Sequence, residues 1–418
     1  MGVTLQMNDV LSVLESRGFL KQCTDREALS RLLETEVVSL YCGFDPTGPS
    51  LHAGHLIPLF AMAHIARGGH HPIALIGGGT ARIGDPSGKT EMRRMLTIEQ
   101  IKANALSITV QVQHFLSGRN VTAGVVDNAD WLAGLNYIEF LRDIGKHFSV
   151  NRMLTFETYR MRMETGLSFI EFNYQLLQAF DFLNLYRNNG VKLQIGGDDQ
   201  WGNIVAGADL IRRVEGGEAY GLTFPLVTRA DGRKMGKTEK GALFLDPSMV
   251  SPYDFFQYWR NVPDEDVEKF LLLYTFLPVE EVRELGRLKD QEINRAKEIL
   301  AHELTSIIHG TAEADKALEA ARAAFAGGDG SGDRSAIPSA DLAEGELSAG
   351  LNASDLFSRT GLCASKSDAR RLIAQGGATV NGRKVETVDD IIDASWLEGG
   401  ELLLRAGKKR YFRMTVRS

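Results

Sequence analysis

The sequence predicts an α/β chain that opens with a doubly wound parallel-sheet domain and continues into an α-helical domain and a small α+β module. Three observations carry this reading. Residues 37–44 (VVSLYCGF) and 72–77 (PIALIG) are short, apolar and β-branched, each breaks into Gly and Pro, and amphipathic helical stretches follow both, as in buried parallel strands with crossover helices. From Ser251-Pro252 onward the apolar period becomes helical. The run AGGDGSGD at 326–333 then interrupts everything with residues that bury too little surface to fold.

In chain order, residues 1–228 form the α/β domain. Two further strand candidates, 121–126 (VTAGVV) and 191–195 (VKLQI), lie in it with helix-period segments between. Ligands in such sheets sit outside the strand C-terminal ends. Residues 229–247 read as a Gly-punctuated cationic loop expected to move. In the helical domain, 248–326, Ser251 caps a helix with Pro252 at its first position, and Asp264 caps a segment through Tyr274. A stripe of Ile293, Ala296, Leu300, Leu304 and Ile307 marks another helix that ends at Gly310, and its apolar face suits core packing. Residues 327–350 read as a flexible linker. The module at 351–418 offers a short helix and then Asn381-Gly382, a hairpin turn.

Composition narrows the function classes. The chain has 418 residues, 44% apolar and 24% charged, and lacks any apolar run near the roughly 18 residues that span a bilayer. Its N-terminus, MGVTLQMNDV, fits neither a secretory signal nor a transit peptide, so a cytoplasmic location is expected and no membrane partner. Cys23, Cys42 and Cys363 are too scattered for a disulfide framework or a metal cage. The net charge of -7 is uneven: residues 351–418 hold 12 Lys and Arg against 8 Asp and Glu. A polyanion would meet its basic surface there, on Lys366, Arg370 and Arg371 beside the hairpin.

The most informative segment is YCGFDPTGPSLHAGHL, 41–56, in which a strand runs through a Gly/Pro turn into a helix. His52 and His55 are three apart and can aim both imidazoles at the helix N-terminus, where backbone N–H groups and the dipole favour phosphate. Gly54 between them leaves room for a base or ribose to approach. A His-x-x-His pair also occurs in zinc sites, but no Cys or acid stands nearby at a familiar third-ligand spacing. ADGRKMGKT, 230–238, can place Lys234 and Lys237 around a polyphosphate, although lysine-rich turns are more often simply solvated.

In SFIEFNYQLLQAFDF, 168–182, Ser168 and Glu171 form a capping box, so Tyr174, Gln178 and Asp181 fall on one helical face. A solvent stripe would carry Lys or Glu in place of Tyr and Gln, and three polar groups are odd for a core. An Asp and a Tyr hydroxyl suit a phenol hydroxyl or an ammonium group. In IGGDDQWGN, 195–203, a Gly pair after a strand lets a nucleotide approach, and Asp199 can accept from a ribose hydroxyl. Asp85 in IGDPSGK follows another strand, where a plain turn-former is the simplest reading.

HAGH after a strand and KMGKT about 180 residues later together resemble the paired signatures of class I aminoacyl-tRNA synthetases, His-Ile-Gly-His and Lys-Met-Ser-Lys-Ser, with Ala53, Gly236 and Thr238 as departures. Segment 168–182 resembles the tyrosine-binding helix of bacterial-type tyrosyl-tRNA synthetases, and 351–418 resembles an RNA-binding module first known from a ribosomal protein. The resemblance covers essentially the whole chain. It implies a Rossmann-like catalytic domain, a helical anticodon-side domain and an RNA-binding C-terminal domain.

The same resemblance assigns residues. Thr47, His52, His55, Lys234 and Lys237 would act on the phosphates and the pyrophosphate. Tyr41 and Asp181 would read the tyrosine hydroxyl, and Asp85, Tyr174 and Gln178 its ammonium group, with Gln200 close by. Cys42, Gly43, Asp45, Gly54, Gly197, Asp199, Leu226, Val227 and Thr238 would line ATP. It further implies L-tyrosine, ATP with Mg²⁺ and tRNA(Tyr) as substrates, no permanently bound cofactor or metal, and a homodimer through the catalytic domain. The rivals are a related synthetase for tryptophan, a nucleotidylyltransferase of the same superfamily, and a synthetase-derived RNA-binding or splicing cofactor without catalysis.

Overall fold

A computed structural model describes residues 9–87, 95–118, 123–230, 232, 235–238, 241–325, 337–407 and 410–417. Contacts divide the chain into two compact units, one of Met1–Gly236 with Glu268–Glu284, the other of Lys237–Val267 with Leu285–Ser418.

The first unit is built on a six-stranded sheet of β1 (Gln22–Cys23), β2 (Ser39–Phe44), β3 (His71–Ile76), β4 (Gly124–Asp127), β5 (Val191–Gly197) and β6 (Tyr220–Phe224). Its order is β1-β6-β5-β2-β3-β4, with only β1 antiparallel to its neighbour. The two central strands run out in opposite directions through the sequence, β2 to β3 and β4 on one side, β5 to β6 on the other. The gap above the β2/β5 pair, Tyr41 beside Gln194, is therefore the topological switch point where α/β sheets bind ligands.

Helices α1 (Leu56–Arg67), α2 (Ile98–Ser117), α3 (Glu157–Thr165), α4 (Phe169–Asn189) and α5 (Trp201–Glu215) belong to this unit. Helix α4 starts on the expected capping box of Ser168 and Glu171 and stops at Gly190, which takes a left-handed φ of 64°. Its Ala179, Phe182 and Leu183 pack on Tyr41, Ile73 and Leu75 of the sheet, and that packing fixes which side of α4 faces the switch point.

The boundary differs from the expected one at residue 228, because 268–284 packs within the first unit. Arg17 donates to the carbonyls of Leu272 (3.1 Å), Thr275 (3.1 Å) and Leu277 (2.5 Å), and Phe60 meets the rings of Tyr274 and Phe276. Those carbonyls lie at and beyond the C-terminus of helix Val267–Tyr274, where a cation is favoured.

In the second unit, Ser251 caps α6 (Pro252–Arg260) as expected. Asp264 does not cap the next helix: Pro263 takes that place and Asp264 binds the Lys297 ammonium. The long helix α7 (Ile293–His309) buries the expected stripe from Ile293 through Leu304 and stops at Gly310.

The linker 327–350 is shorter than expected at its far end, while residues 326–336 lie outside the described ones. Ile337 is buried, Ser339–Ala343 pairs in parallel with the last strand Arg410–Arg417, and Glu344–Ala349 is helical. Two apolar side chains in a small, acidic context, Leu342 and Leu347, are enough to hold this stretch in the core of the C-terminal module. The Asn381-Gly382 hairpin is present, with Asn381 at φ 47° and Gly382 at φ 74°.

Candidate active site

Four of the five parallel strands bring residues to the switch point. From β2 come Tyr41, Cys42 and Gly43, then Asp45; from beyond β3 comes Asp85; from beyond β4 come Asn128 and Trp131; and from β5 come Gly197, Asp199 and Gln200.

The residues expected on the tyrosine side form a buried polar network. Asp181 is 1% exposed, and both its oxygens are held: Asn128 Nδ2 donates to Oδ2 at 2.9 Å and Trp131 Nε1 to Oδ1 at 2.7 Å. Asn128 cannot turn over, because its own Oδ1 accepts the Gly79 N–H at 2.7 Å. Burial pushes the Asp181 carboxyl up to about 8, against those two donors and with the help of the nearby charges of Asp45 and Asp127. Beside it, Tyr41 is buried, packs edge-on against Phe182 and leaves its hydroxyl without a hydrogen-bond partner. Burial and the neighbouring Asp181 hold that hydroxyl protonated, well above the usual phenol range. A carboxyl group with two fixed donors and a hydroxyl lacking a partner are what a phenolic O–H can complete.

Two further chains of hydrogen bonds run here: one links Tyr174 through Asp45, Thr80 and Asn128 to Asp181, and the other joins Gln178, Asn203, Gln200 and Asp85. Tyr174 donates to Asp45 Oδ2 at 3.0 Å, and Thr80 donates to Asp45 Oδ1 at 2.8 Å. Asn203 donates to Gln178 Oε1 at 3.0 Å and to Gln200 Oε1 at 3.2 Å, while Gln200 Nε2 donates to Asp85 Oδ2 at 2.7 Å. Asp85 also accepts the Ser87 N–H at 2.9 Å, so the expected turn-former is present, but its second oxygen serves the network. Asp45, expected on the nucleotide side, is tied to Tyr174. Gly77 is required there, since a Cβ on it would lie 1.9 Å from Asp45 Oδ1.

The residues expected on the nucleotide side sit on a turn built from backbone. His52 caps the turn Ala53–His55: the Gly54 N–H donates to His52 Nδ1 and the His52 N–H to His55 Nδ1, both at 3.1 Å. With each Nδ1 accepting, the neutral rings carry their protons on Nε2, as donors. The ring centroids are 4.1 Å apart, so the two imidazoles do converge. Gly54 has a nearer reason than ligand approach, because a Cβ on it would lie 2.9 Å from His52 Cε1. Gly236, at φ 72°, sits over this turn, and a Cβ on it would lie 3.0 Å from the Ala53 Cβ. Two of the three departures from the signatures, Ala53 and Gly236, thus pack on each other, two small residues where two larger ones are the pattern.

Lys234 lies outside the described residues, as do the side chains of Lys237 and Thr238, whose backbone pairs with Gly241 and Ala242. Thr47 and Gly43 are exposed. Cys42 is buried, its thiol pushed up to about 12 by desolvation, an unreactive group. Asp199 is also raised by burial and by Asp85. Leu226 is exposed and reaches over Gly197, while Val227 is half-buried and accepts the Met235 N–H.

Sequence reasoning missed Asn128, Trp131, Asn203 and Gln194. Asn128 follows the end of a strand that had been recognised, and Asn203 is one turn beyond Gln200, so strand ends and helical spacing were usable signals. Gln194, 2% exposed with Oε1 lacking a partner, stands next to Tyr41 in register, and inside a strand nothing marks it.

In the second unit Lys366, Arg370 and Arg371 lie on one exposed helix, Lys366–Ala374. Lys366 pairs with Asp355 at 2.7 Å and Arg371 with Asp368. Among the described residues Arg370 has no ion pair.

Comparison with known proteins agrees with this geometry. The profile of the family described as tRNA synthetases class I (W and Y) matches residues 33–326, and that of the tyrosine–tRNA ligase SYY-like C-terminal domain matches 333–414. The tyrosine–tRNA ligase of Treponema denticola is 58% identical over 409 residues, 98% of this chain and 99% of the other. The chain belongs to the tyrosine–tRNA ligases. The ligase of Caldanaerobacter subterraneus subsp. tengcongensis is 53% identical over 98% of this chain and 99% of its own. Among solved structures, a C-terminally truncated mitochondrial tyrosyl-tRNA synthetase from Aspergillus nidulans superposes with a TM-score of 0.70 at 30% identity, over 76% of this chain and 94% of that one. As a tyrosine–tRNA ligase, the chain activates tyrosine with ATP and transfers it to tRNA, and nothing among the relatives favours the tryptophan or non-catalytic readings. The second profile starts at 333, in keeping with a C-terminal module that begins before residue 351.

Proposed function

We propose that tyrosine lies over the β2/β5 switch point with its hydroxyl between Tyr41 and Asp181 and its ammonium group toward Tyr174, Gln178 and Asp85, and that ATP lies against the HAGH turn. In the first step a tyrosine carboxylate oxygen attacks the α-phosphorus of ATP and the bond to pyrophosphate breaks. In the second, a ribose hydroxyl at the tRNA 3′ end attacks the carbonyl carbon and AMP leaves. His52 and His55 offer Nε2–H donors to phosphate oxygens, and Lys234 and Lys237 meet the charge that builds on the departing pyrophosphate. No protein nucleophile is needed, so catalysis is positioning plus charge stabilisation.

Mg²⁺ accompanies ATP in this reading and screens its phosphates. Among the described residues no group of three His, Cys, Asp or Glu is arranged to hold a metal ion, so no step is assigned to one. The helix of Lys366, Arg370 and Arg371 contacts tRNA phosphates, because exposed ion pairs such as Lys366–Asp355 are weak enough to exchange for them.

Homodimerisation through the catalytic unit is supported by apolar side chains left exposed between residues 137 and 169, among them Tyr137, Ile138, Val150, Met161, Met163 and Phe169. A cytoplasmic location goes with charging tRNA for protein synthesis; among the described residues no helix is long and apolar enough to cross a membrane.

The observation that carries the pocket assignment is the Tyr41 hydroxyl, buried beside Asp181 without a partner. Tyr41→Phe is expected to lower kcat/KM for tyrosine about tenfold in pyrophosphate exchange, while phenylalanine gains relative to tyrosine. An unchanged ratio between the two amino acids would remove the hydroxyl from the pocket.

A further inference from the structure

Behind the tyrosine pocket, helix α3 carries a buried charge that the reaction does not use. Arg162 is 2% exposed and forks onto Glu171, with Nη2 at 2.9 and 3.0 Å from the two carboxylate oxygens and Nε at 3.2 Å. The same guanidinium donates to Thr165 Oγ1 at 2.6 Å and to the Gly166 carbonyl at 3.0 Å. Glu171 is the carboxylate of the α4 capping box: it also accepts from the Ser168 N–H at 3.2 Å and from Ser168 Oγ at 2.7 Å. A second prop runs from α3, where the buried Tyr159 donates to the Phe172 carbonyl at 3.1 Å. One turn beyond Glu171 stands Tyr174, and further along the same face stand Gln178 and Asp181.

A capping box needs only Ser168 and Glu171 to start a helix. A fully desolvated bidentate arginine adds little net stability over an apolar pair of the same shape, but it fixes its partner in direction as well as distance. Beyond the capping box and the Arg162–Glu171 fork, the first turn of α4 is held through Phe172 on Tyr159, while Phe169 is 71% exposed in the single chain. A slip or fraying of that turn would move the Tyr174 hydroxyl off Asp45, and the ammonium end of the pocket would lose its shape before the buried Asp181 end did.

We propose that Arg162 is a positioning residue for tyrosine activation: acting through Glu171, it fixes the first turn of α4 and so the ammonium end of the tyrosine pocket. The inference rests on assigning Tyr174, Gln178 and Asp85 to that end.

Three variants test it: Arg162→Lys, Arg162→Met, and Arg162→Met with Glu171→Gln. The double variant keeps a capping-box residue and removes both buried charges, so it guards against simple misfolding of the single one. Active sites are titrated first, and pyrophosphate exchange is then measured per active site. A tyrosine KM raised about 5- to 20-fold in both Met variants, with the ATP KM within about twofold of the parent and Arg162→Lys between, is the expected result. A double variant with the parent tyrosine KM would overturn the proposal, as would a joint rise of both KM values or a loss confined to the number of active sites. Absence of tyrosine-dependent exchange in the unmutated protein is a separate failure, one of the pocket assignment itself.

Discussion

The two halves of the active site are made by different means. On the proposed tyrosine side, side chains from three helices and four strand ends interlock out of water, with the Tyr41 hydroxyl and Gln194 Oε1 left without a partner. On the nucleotide side, one turn of backbone aims two imidazoles outward by using each Nδ1 as an internal acceptor. The contrast follows from what each half must do. A phenol differs from a benzene ring by one hydroxyl, and only a dry, fully specified set of donors and acceptors makes that group decide binding. Phosphate is recognised by charge and N–H groups, which a helix N-terminus supplies in a short stretch.

If that division is right, damage should sort by side. The largest effect is expected for Asp181→Ala, which leaves Asn128 Nδ2 and Trp131 Nε1 without their acceptor and removes the proposed partner of the substrate hydroxyl. Each lost hydrogen bond or orphaned donor costs about 1 to 3 kcal/mol, so kcat/KM for tyrosine should fall by about 10³-fold. The KM for ATP should stay within about twofold, since the HAGH turn is held by its own backbone N–H groups and Nδ1 acceptors. Equal losses for both substrates in pyrophosphate exchange would erase the division.

His52→Asn sharpens the comparison from the other side. An Asn oxygen can replace Nδ1 as acceptor of the Gly54 N–H, so the turn is retained while the Nε2 donor is lost. A fall of about 10²-fold in kcat with an unchanged tyrosine KM is expected, the size typical of one lost transition-state donor. A rise in tyrosine KM would mean that the two halves are mechanically joined.

The halves also differed in how far they could be read from sequence. The nucleotide side was legible because its chemistry is local: His52, Gly54 and His55 are contiguous, and the converging rings follow from their spacing. The helical face of Tyr174, Gln178 and Asp181 was legible for the same reason, with Ser168 and Glu171 fixing its phase. What escaped was the set of non-local partners. Asn128, Trp131 and Asn203 reach the site only because the sheet order brings β4 and α5 beside α4, and no period in the sequence records that order. The linker was misjudged because small and acidic residues between 337 and 350 conceal two apolar anchors, Leu342 and Leu347. The departure at Asp264 has a similar cause: a distant lysine on another helix takes the carboxylate that local pattern assigns to a cap.

A smaller effect is expected far from both halves. Replacing Lys366, Arg370 and Arg371 together with Ala should leave adenylate formation unchanged and raise the tRNA KM about tenfold in charging assays. The dependence of that KM on salt should flatten by up to about three ion contacts. Charging that keeps the parent salt slope would show that this helix does not meet the phosphate backbone.

The smallest expected effect concerns stability, and it asks whether the tyrosine side bears a buried charge that the nucleotide side avoids. Folding raises the Asp181 carboxyl from its ordinary value of 3.8 to about 8, chiefly by desolvation. A carboxyl that holds its proton more tightly folded than unfolded lends stability that is full below pH about 4 and is lost as pH rises through about 8. Asp181→Ala has no such slope. Its melting temperature should therefore lie below that of the parent at pH 5, where the parent keeps most of this contribution, and the gap should narrow by a few degrees at pH 8.5. A gap that stays constant or widens with pH would mean that Asn128 and Trp131 outweigh burial and keep Asp181 ionised at ordinary cost. The phenol would then be read by a relaxed carboxylate, and the energetic contrast between the two halves would disappear while their geometric contrast remained.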